Sequence, residues 1–263
     1  MNYKIKIMYD GSAYNGWQRQ KNTDKTIQGI LETSISLILG ENIQLYGSGR
    51  TDAGVHAKGQ IANFHTKVVV SLKQMQNSLN LMLPEDIKVL QLNAIDAKFH
   101  ARRSAVKKRY SYSIWNSYIS PVFERKYLYE RVEKLDLNAM REASKYLVGE
   151  HDFRSFCSNR TFEKSTIRTI YSIDIEKTGD KIVIFYEGSG FLYNMVRILS
   201  GTLIEIGLGS RKPNSISALL EAKKRELAGF CAPPQGLCLD HVFYENQWEE
   251  ENNAIFRGDR EES

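Results

Sequence analysis

Apolar Ile5, Ile7 and Tyr9 alternate with Lys4, Lys6 and Met8 at the start of the chain, and this period of two predicts a half-buried strand near 3–10. Similar patterns predict strands near 43–47, 60–66, 87–92, 107–116, 167–176, 181–187 and 236–244. Helical spacing recurs near 26–39, 71–82, 136–147, 191–206 and 213–222. Asp136 stands just before Leu137 and Met140, an acidic helix start, and Pro213 suits a first helical turn. The segment 107–116 is rich in aromatic side chains, as strands are. Segments 167–176 and 181–187, joined through Gly179-Asp180, read as a hairpin.

Strands and helices alternate without a regular βαβ series. This predicts the α/β class, of α+β type: two similar halves sharing a largely antiparallel mixed sheet flanked by helices. The basic stretch near 98–109 divides the chain into an N-terminal half, 1–105, and a C-terminal half, 106–245. No low-complexity linker separates them, so they are expected to pack side by side. No repeat of fixed short period suggests a solenoid.

Composition changes this picture little. No apolar run reaches the roughly 18 residues of a membrane-spanning helix. The alternating N-terminus lacks the continuous apolar core of a signal peptide, which makes a cytoplasmic location the default expectation. The three cysteines, Cys157, Cys231 and Cys238, have neither the spacing of a zinc site nor that of a disulfide framework, and read as free thiols.

The distribution of charge says more. The segment from Glu245 holds seven acids against two bases. Residues 246–263 therefore read as an acidic, solvated and mobile tail, and the +5 net charge divides into +10 on residues 1–244 and −5 on the segment from Glu245. A basic body favours a polyanionic partner.

Three constellations carry candidate chemistry. In Gly47-Ser48-Gly49-Arg50-Thr51-Asp52-Ala53-Gly54-Val55-His56, glycines allow close backbone approach around a cation, a carboxylate and an imidazole. On pattern alone this is equally a polar surface turn. A phosphate-cradling loop would need a Lys-Ser/Thr ending, and Asp52 would repel a phosphate. In the second, six lysines and arginines fall within residues 98–109: Lys98, Arg102, Arg103, Lys107, Lys108 and Arg109. No acid occurs from Ala97 to Phe123, and Tyr110, Tyr112 and Trp115 follow. Cations for phosphates beside rings for bases suit unpaired nucleic acid, although a lysine-protected edge strand has the same composition. In the third, Arg197 is the only charged residue from Gly188 to Ile204. A buried guanidinium needs a carboxylate partner, for which Asp52 is the candidate. Such a pair would hold Asp52 ionised. The other reading is an arginine that snorkels to the surface.

Taken together, these residues resemble the TruA family of tRNA pseudouridine synthases. Tyr9-Asp10-Gly11-Ser12-Ala13-Tyr14-Asn15-Gly16-Trp17-Gln18 matches the opening motif of the family, and Gly49 to His56 its catalytic motif. Phe99-His100-Ala101-Arg102, Arg109-Tyr110-Ser111-Tyr112, Phe191 to Arg197 and Ala232 to Leu237 follow in family order. The resemblance implies a pseudouridine synthase fold with a central cleft and a homodimer in which one RNA contacts both subunits. It also implies isomerisation of uridine at positions 38 to 40 of the tRNA anticodon arm, with neither metal nor organic cofactor. By position, Asp52 is the nucleophile, Tyr110 sits against the uracil, Arg197 pairs with the aspartate and Arg50 attends the opened base. Arg102, Arg103, Lys107, Lys108 and Arg109 are expected to bind RNA. Departures are Arg103, where an aromatic is common, Cys238 and Asp240 in the last strand, and the acidic tail. None touches the expected catalytic set.

Overall fold

The computed structural model describes residues 1–159, 161 and 165–245; the acidic tail lies outside them. Ten strands form one sheet: β1 (Asn2–Tyr9), β2 (Leu45–Gly47), β3 (His56–His65), β4 (Ile87–Ile95), β5 (Ala105–Trp115), β6 (Tyr129–Glu130), β7 (Gly149–Asp152), β8 (Ile167–Thr178), β9 (Lys181–Gly188) and β10 (Leu237–Tyr244). The helices are α1 (Ile27–Leu39), α2 (Leu72–Met82), α3 (Leu137–Lys145), α4 (Met195–Gly207) and α5 (Ser215–Ala222).

The strand order is β4-β1-β3-β10-β5-β9-β8-β7, with β2 on β3 and β6 on β5. All pairings are antiparallel except β3 with β10 and β5 with β6. The last of the described strands, β10, is thus inserted at the centre, between β3 and β5. The two runs share one sheet, as the alternation predicted.

Local signals account for most boundaries. Thr26 caps α1 by accepting from the Gly29 N–H, and Asp136 caps α3 by accepting from those of Asn138 and Ala139. The β8–β9 hairpin turns at Gly179-Asp180, with Thr178 opposite Lys181. One helix starts later than its spacing suggested. Residues 191–194 are not helical, because Asn194 adopts a left-handed conformation, φ 59°, immediately before α4. The delay leaves Phe191 free to pack edge-on against Tyr110, with ring centroids 5.2 Å apart. Strand β3 begins at His56 rather than near residue 60, and the short strands β6 and β7 carry too few residues to show a period.

The core is one continuous apolar cluster. It runs from Ile5 and Ile7 with Leu31 and Ile35 of α1 to Ile184 and Tyr186 with Leu199 and Leu203 of α4. The Tyr186 hydroxyl shares a hydrogen bond with Ser200 Oγ of α4 at 2.9 Å. Tyr186 is the register partner of Tyr110, so the face that carries Tyr110 is the one α4 covers.

Candidate active site

The loop 48–55 leaves β2 and enters β3 at the centre of the sheet, and four segments hold it. From the N-terminal side, Tyr9 shares a 2.7 Å hydrogen bond with Thr51 Oγ1. The Trp17 N–H donates to Thr51 O (3.0 Å), and the Gly54 N–H donates to Tyr14 O (3.3 Å). From β3, Gln60 accepts from Ser48 Oγ (2.6 Å) and donates to Gly49 O (3.0 Å). From β5, Lys108 Nζ donates to Ser48 O at 2.7 Å. Pro234, ahead of β10, packs on Gly54.

The Tyr9–Trp17 segment approaches so closely that side chains would not fit. A Cβ on Gly11 would stand 2.0 Å from Val55 O, and one on Gly16, which also has φ +93°, would stand 2.7 Å from Thr51 O. Glycine is required at both positions for the cradle to close. The Gly11 N–H also donates to His56 Nδ1 (3.0 Å), with Asp10 Oδ1 3.1 Å from the same nitrogen. Burial lowers the His56 pKa more than Asp10 raises it. Nδ1 therefore acts as the acceptor of a neutral ring, and fixes the exit of the loop.

Asp52 stands on this loop with its side chain 23% exposed. The side chain of Arg197, 15% exposed, comes from the first turn of α4. Arg197 Nη1 lies 3.4 Å from Asp52 Oδ2 and donates to Asn194 Oδ1 at 2.9 Å, while Nε donates to Ala232 O at 2.7 Å. The guanidinium is therefore oriented by two neutral acceptors and pairs with Asp52 rather than snorkelling. Arg197 favours the ionised form of Asp52, as a nearby cation should, but burial is the larger influence. Burial raises its pKa, and Arg197 offsets only part of the rise.

Tyr110 of β5 is buried against Phe191, and its hydroxyl lies near the loop, 4.0 Å from where a Cβ on Gly49 would stand. Burial and the Asp52 charge both push its pKa upward. Asp52, Arg197 and Tyr110 are thus brought together. Arg50 is exposed at the rim, its Nε donating to Gln18 Oε1 at 2.9 Å. Arg102 and Arg103 are exposed on the turn after β4.

The remaining basic residues divide. Lys108 shares the Tyr110 face, whereas strand alternation puts Lys107 and Arg109 on the other. There both meet Glu187, at 2.8 Å and 2.5 Å, and Lys107 Nζ lies 4.1 Å from the centre of the Phe243 ring. The composition of 98–109 gave no sign of this division, because the neutralising acid is almost 80 residues away in β9. The cradling role of residues 9–17 was also hidden, since it depends on backbone contacts between distant loops.

A family model described as tRNA pseudouridine synthase matches residues 5–102 and 143–245. The chain is 46% identical over 244 residues to tRNA pseudouridine synthase A 2 of Clostridium tetani, covering 92% of this chain and 98% of that one. It is 44% identical over 248 residues to tRNA pseudouridine synthase A of Bacillus subtilis, covering 94% and 100%. A solved Cbf5-Nop10-Gar1 complex contains a chain similar at 11% identity, with a TM-score of 0.34 over 77% of this chain and 45% of that one. With the family model matched over most of the chain, and relatives of more than 40% identity covering nearly all of it, the chain belongs to the tRNA pseudouridine synthase family.

Proposed function

We propose that the protein isomerises uridine to pseudouridine in the anticodon stem-loop of tRNA, at positions 38 to 40, with Asp52 as nucleophile and without a cofactor. It would act in the cytoplasm as a homodimer. The observation that carries this reading is the Asp52–Arg197 pair on a rigidly held loop beneath the Tyr110 ring.

The reaction breaks the bond from C1′ to N1, turns the uracil and joins C1′ to C5. The C5 proton is lost and N1 gains one, so atoms balance without an energy source. A stacked base must first leave its stem, at a cost of a few kcal/mol. Arg50, Arg102 and Arg103 at the rim and Lys108 inside are placed to offset that cost through phosphate contacts. Asp52 attacks as a carboxylate. Arg197 orients it and favours its charged form, and Tyr110 lies against the base with its hydroxyl available for proton transfer. Lys107 and Arg109, expected as RNA contacts, serve instead in this reading to tie β5 to β9 through Glu187.

Pseudouridine mapping of tRNA treated with wild type and with Asp52→Ala tests this reading. Modification confined to the anticodon arm and absent with the variant is expected. Modification that persists with Asp52→Ala would remove Asp52 as nucleophile, and modification elsewhere would displace the anticodon-arm assignment.

A further inference from the structure

Beside the reacting residues, three cations from three separate segments come near enough for their charges to act on one another, with no ion pair to an acid among the described residues. Arg102 stands on the turn after β4, Lys108 on β5 and Arg168 on β8. Among the described residues, none of the three pairs with a carboxylate. Lys108 donates to Ser48 O, and Arg168 Nη1 donates to the carbonyls of Ser165 (2.9 Å) and Ile167 (2.5 Å). Carbonyls satisfy donors but leave the charge uncompensated. The contrast with Lys107 and Arg109, which share Glu187 on the other face, is direct.

The repulsion is felt by its members. Burial, then Arg102 and Arg168, draw the Lys108 amine down to about 8. Burial lowers Arg168 as well; Cys157 opposes the fall, and Arg102 adds a smaller push in the same direction as burial. A fold gains nothing from crowding like charges, whereas an anion placed among them relieves every repulsion at once.

Position ties the cluster to the chemistry. Lys108 Nζ lies 2.9 Å from where a Cβ on Gly49 would stand, three residues from Asp52. The Arg168 Nε lies 3.8 Å from the same point on Gly190, next to Phe191, whose ring meets Tyr110. Lys108 and Arg168 therefore flank Tyr110 from two sides, and the charge of Arg102 acts on both.

We propose that Arg102, Lys108 and Arg168 form a phosphodiester subsite that grips one backbone phosphate next to the target uridine. Arg168 is its defining member: an arginine in an ordinary strand segment, Ile167-Arg168-Thr169, that no local pattern marks as functional. This inference rests on the reading of the chain as an enzyme acting on RNA. Gripping a neighbouring phosphate holds the strand while the base turns, which is a positioning task.

The test uses anticodon-arm RNAs carrying one neutral methylphosphonate at each linkage around the target uridine in turn. Binding is measured at several salt concentrations for wild type, Arg168→Gln and Arg168→Lys. One neutral linkage is expected to weaken wild-type binding about tenfold, the scale of a hydrogen bond to a charged group. Arg168→Gln is expected to bind the unmodified RNA about tenfold more weakly, to be insensitive to that same linkage, and to lower the slope of log affinity against log salt by about 0.7 to 0.9. Arg168→Lys should restore the slope. If Arg168→Gln does not fold, Arg102→Gln on the exposed turn takes its place in the same series. A folded variant with an unchanged slope and unchanged sensitivity at every linkage overturns the subsite while leaving the proposed activity intact. A wild-type protein that forms no pseudouridine in any RNA overturns the reading beneath it.

Discussion

Arg197 reaches Asp52 across 145 residues of sequence, its Nη1 3.4 Å from the carboxylate Oδ2. The distance is longer than that of a tight ion pair, and the guanidinium gives its shorter bonds to Ala232 O and Asn194 Oδ1. Asp52 is thus paired loosely enough to leave an oxygen for chemistry, yet sits where burial outweighs the stabilisation Arg197 supplies. A carboxylate kept costly to ionise is more reactive as a nucleophile than one fully solvated or clamped by two hydrogen bonds.

That balance sets a pH dependence. With Asp52 in the proposed role of nucleophile, turnover needs its ionised form, and kcat is expected to fall as pH drops through its pKa. Because that pKa is raised, the acid limb lies at higher pH than for a free carboxylate. Arg197→Met removes the one opposing influence and is expected to move the limb further up, besides lowering kcat. A kcat profile against pH for both proteins checks this, and a downward displacement in Arg197→Met would contradict it.

Tyr9 acts through Thr51. Its hydroxyl is buried against Thr51 Oγ1, one residue before Asp52. Tyr9→Phe is expected to cost about 1 kcal/mol of stability and to lower kcat while leaving KM nearly unchanged, since no RNA contact is lost. Urea unfolding and steady-state kinetics measure the two effects separately.

Tyr110→Phe keeps the ring under Phe191 and removes only the hydroxyl. If the hydroxyl moves a proton, kcat should fall about 100-fold, the low end of what a positioned acid or base contributes. Turnover within a few-fold of wild type would limit Tyr110 to stacking.

Glu187 holds two cations on the face away from the cleft. Glu187→Gln leaves Lys107 buried without its acid and is expected to cost about 3 kcal/mol, read from the urea midpoint. The salt slope of RNA binding should stay as in wild type, in contrast to Arg168→Gln. A change in slope would place Lys107 or Arg109 on the RNA after all.

The sequence by itself determined the elements and the chemical inventory. Alternation at Ile5, Ile7 and Tyr9, the caps at Thr26 and Asp136 and the Gly179-Asp180 turn are local signals, and local energetics decide them. The Gly49–His56 motif and the isolated Arg197 were legible for the same reason: unusual residue types stand in unusual neighbourhoods. Tertiary structure alone decided the rest. It inserted β10 between β3 and β5, so that the last described strand builds the middle of the sheet. It gave Glu187 to Lys107 and Arg109 and, among the described residues, paired no acid with Arg102, Lys108 or Arg168. It also set burial against charge at Asp52 in favour of burial. Each of these outcomes depends on distances between groups far apart in the chain and on the water excluded between them. Neither quantity exists until the sheet has closed.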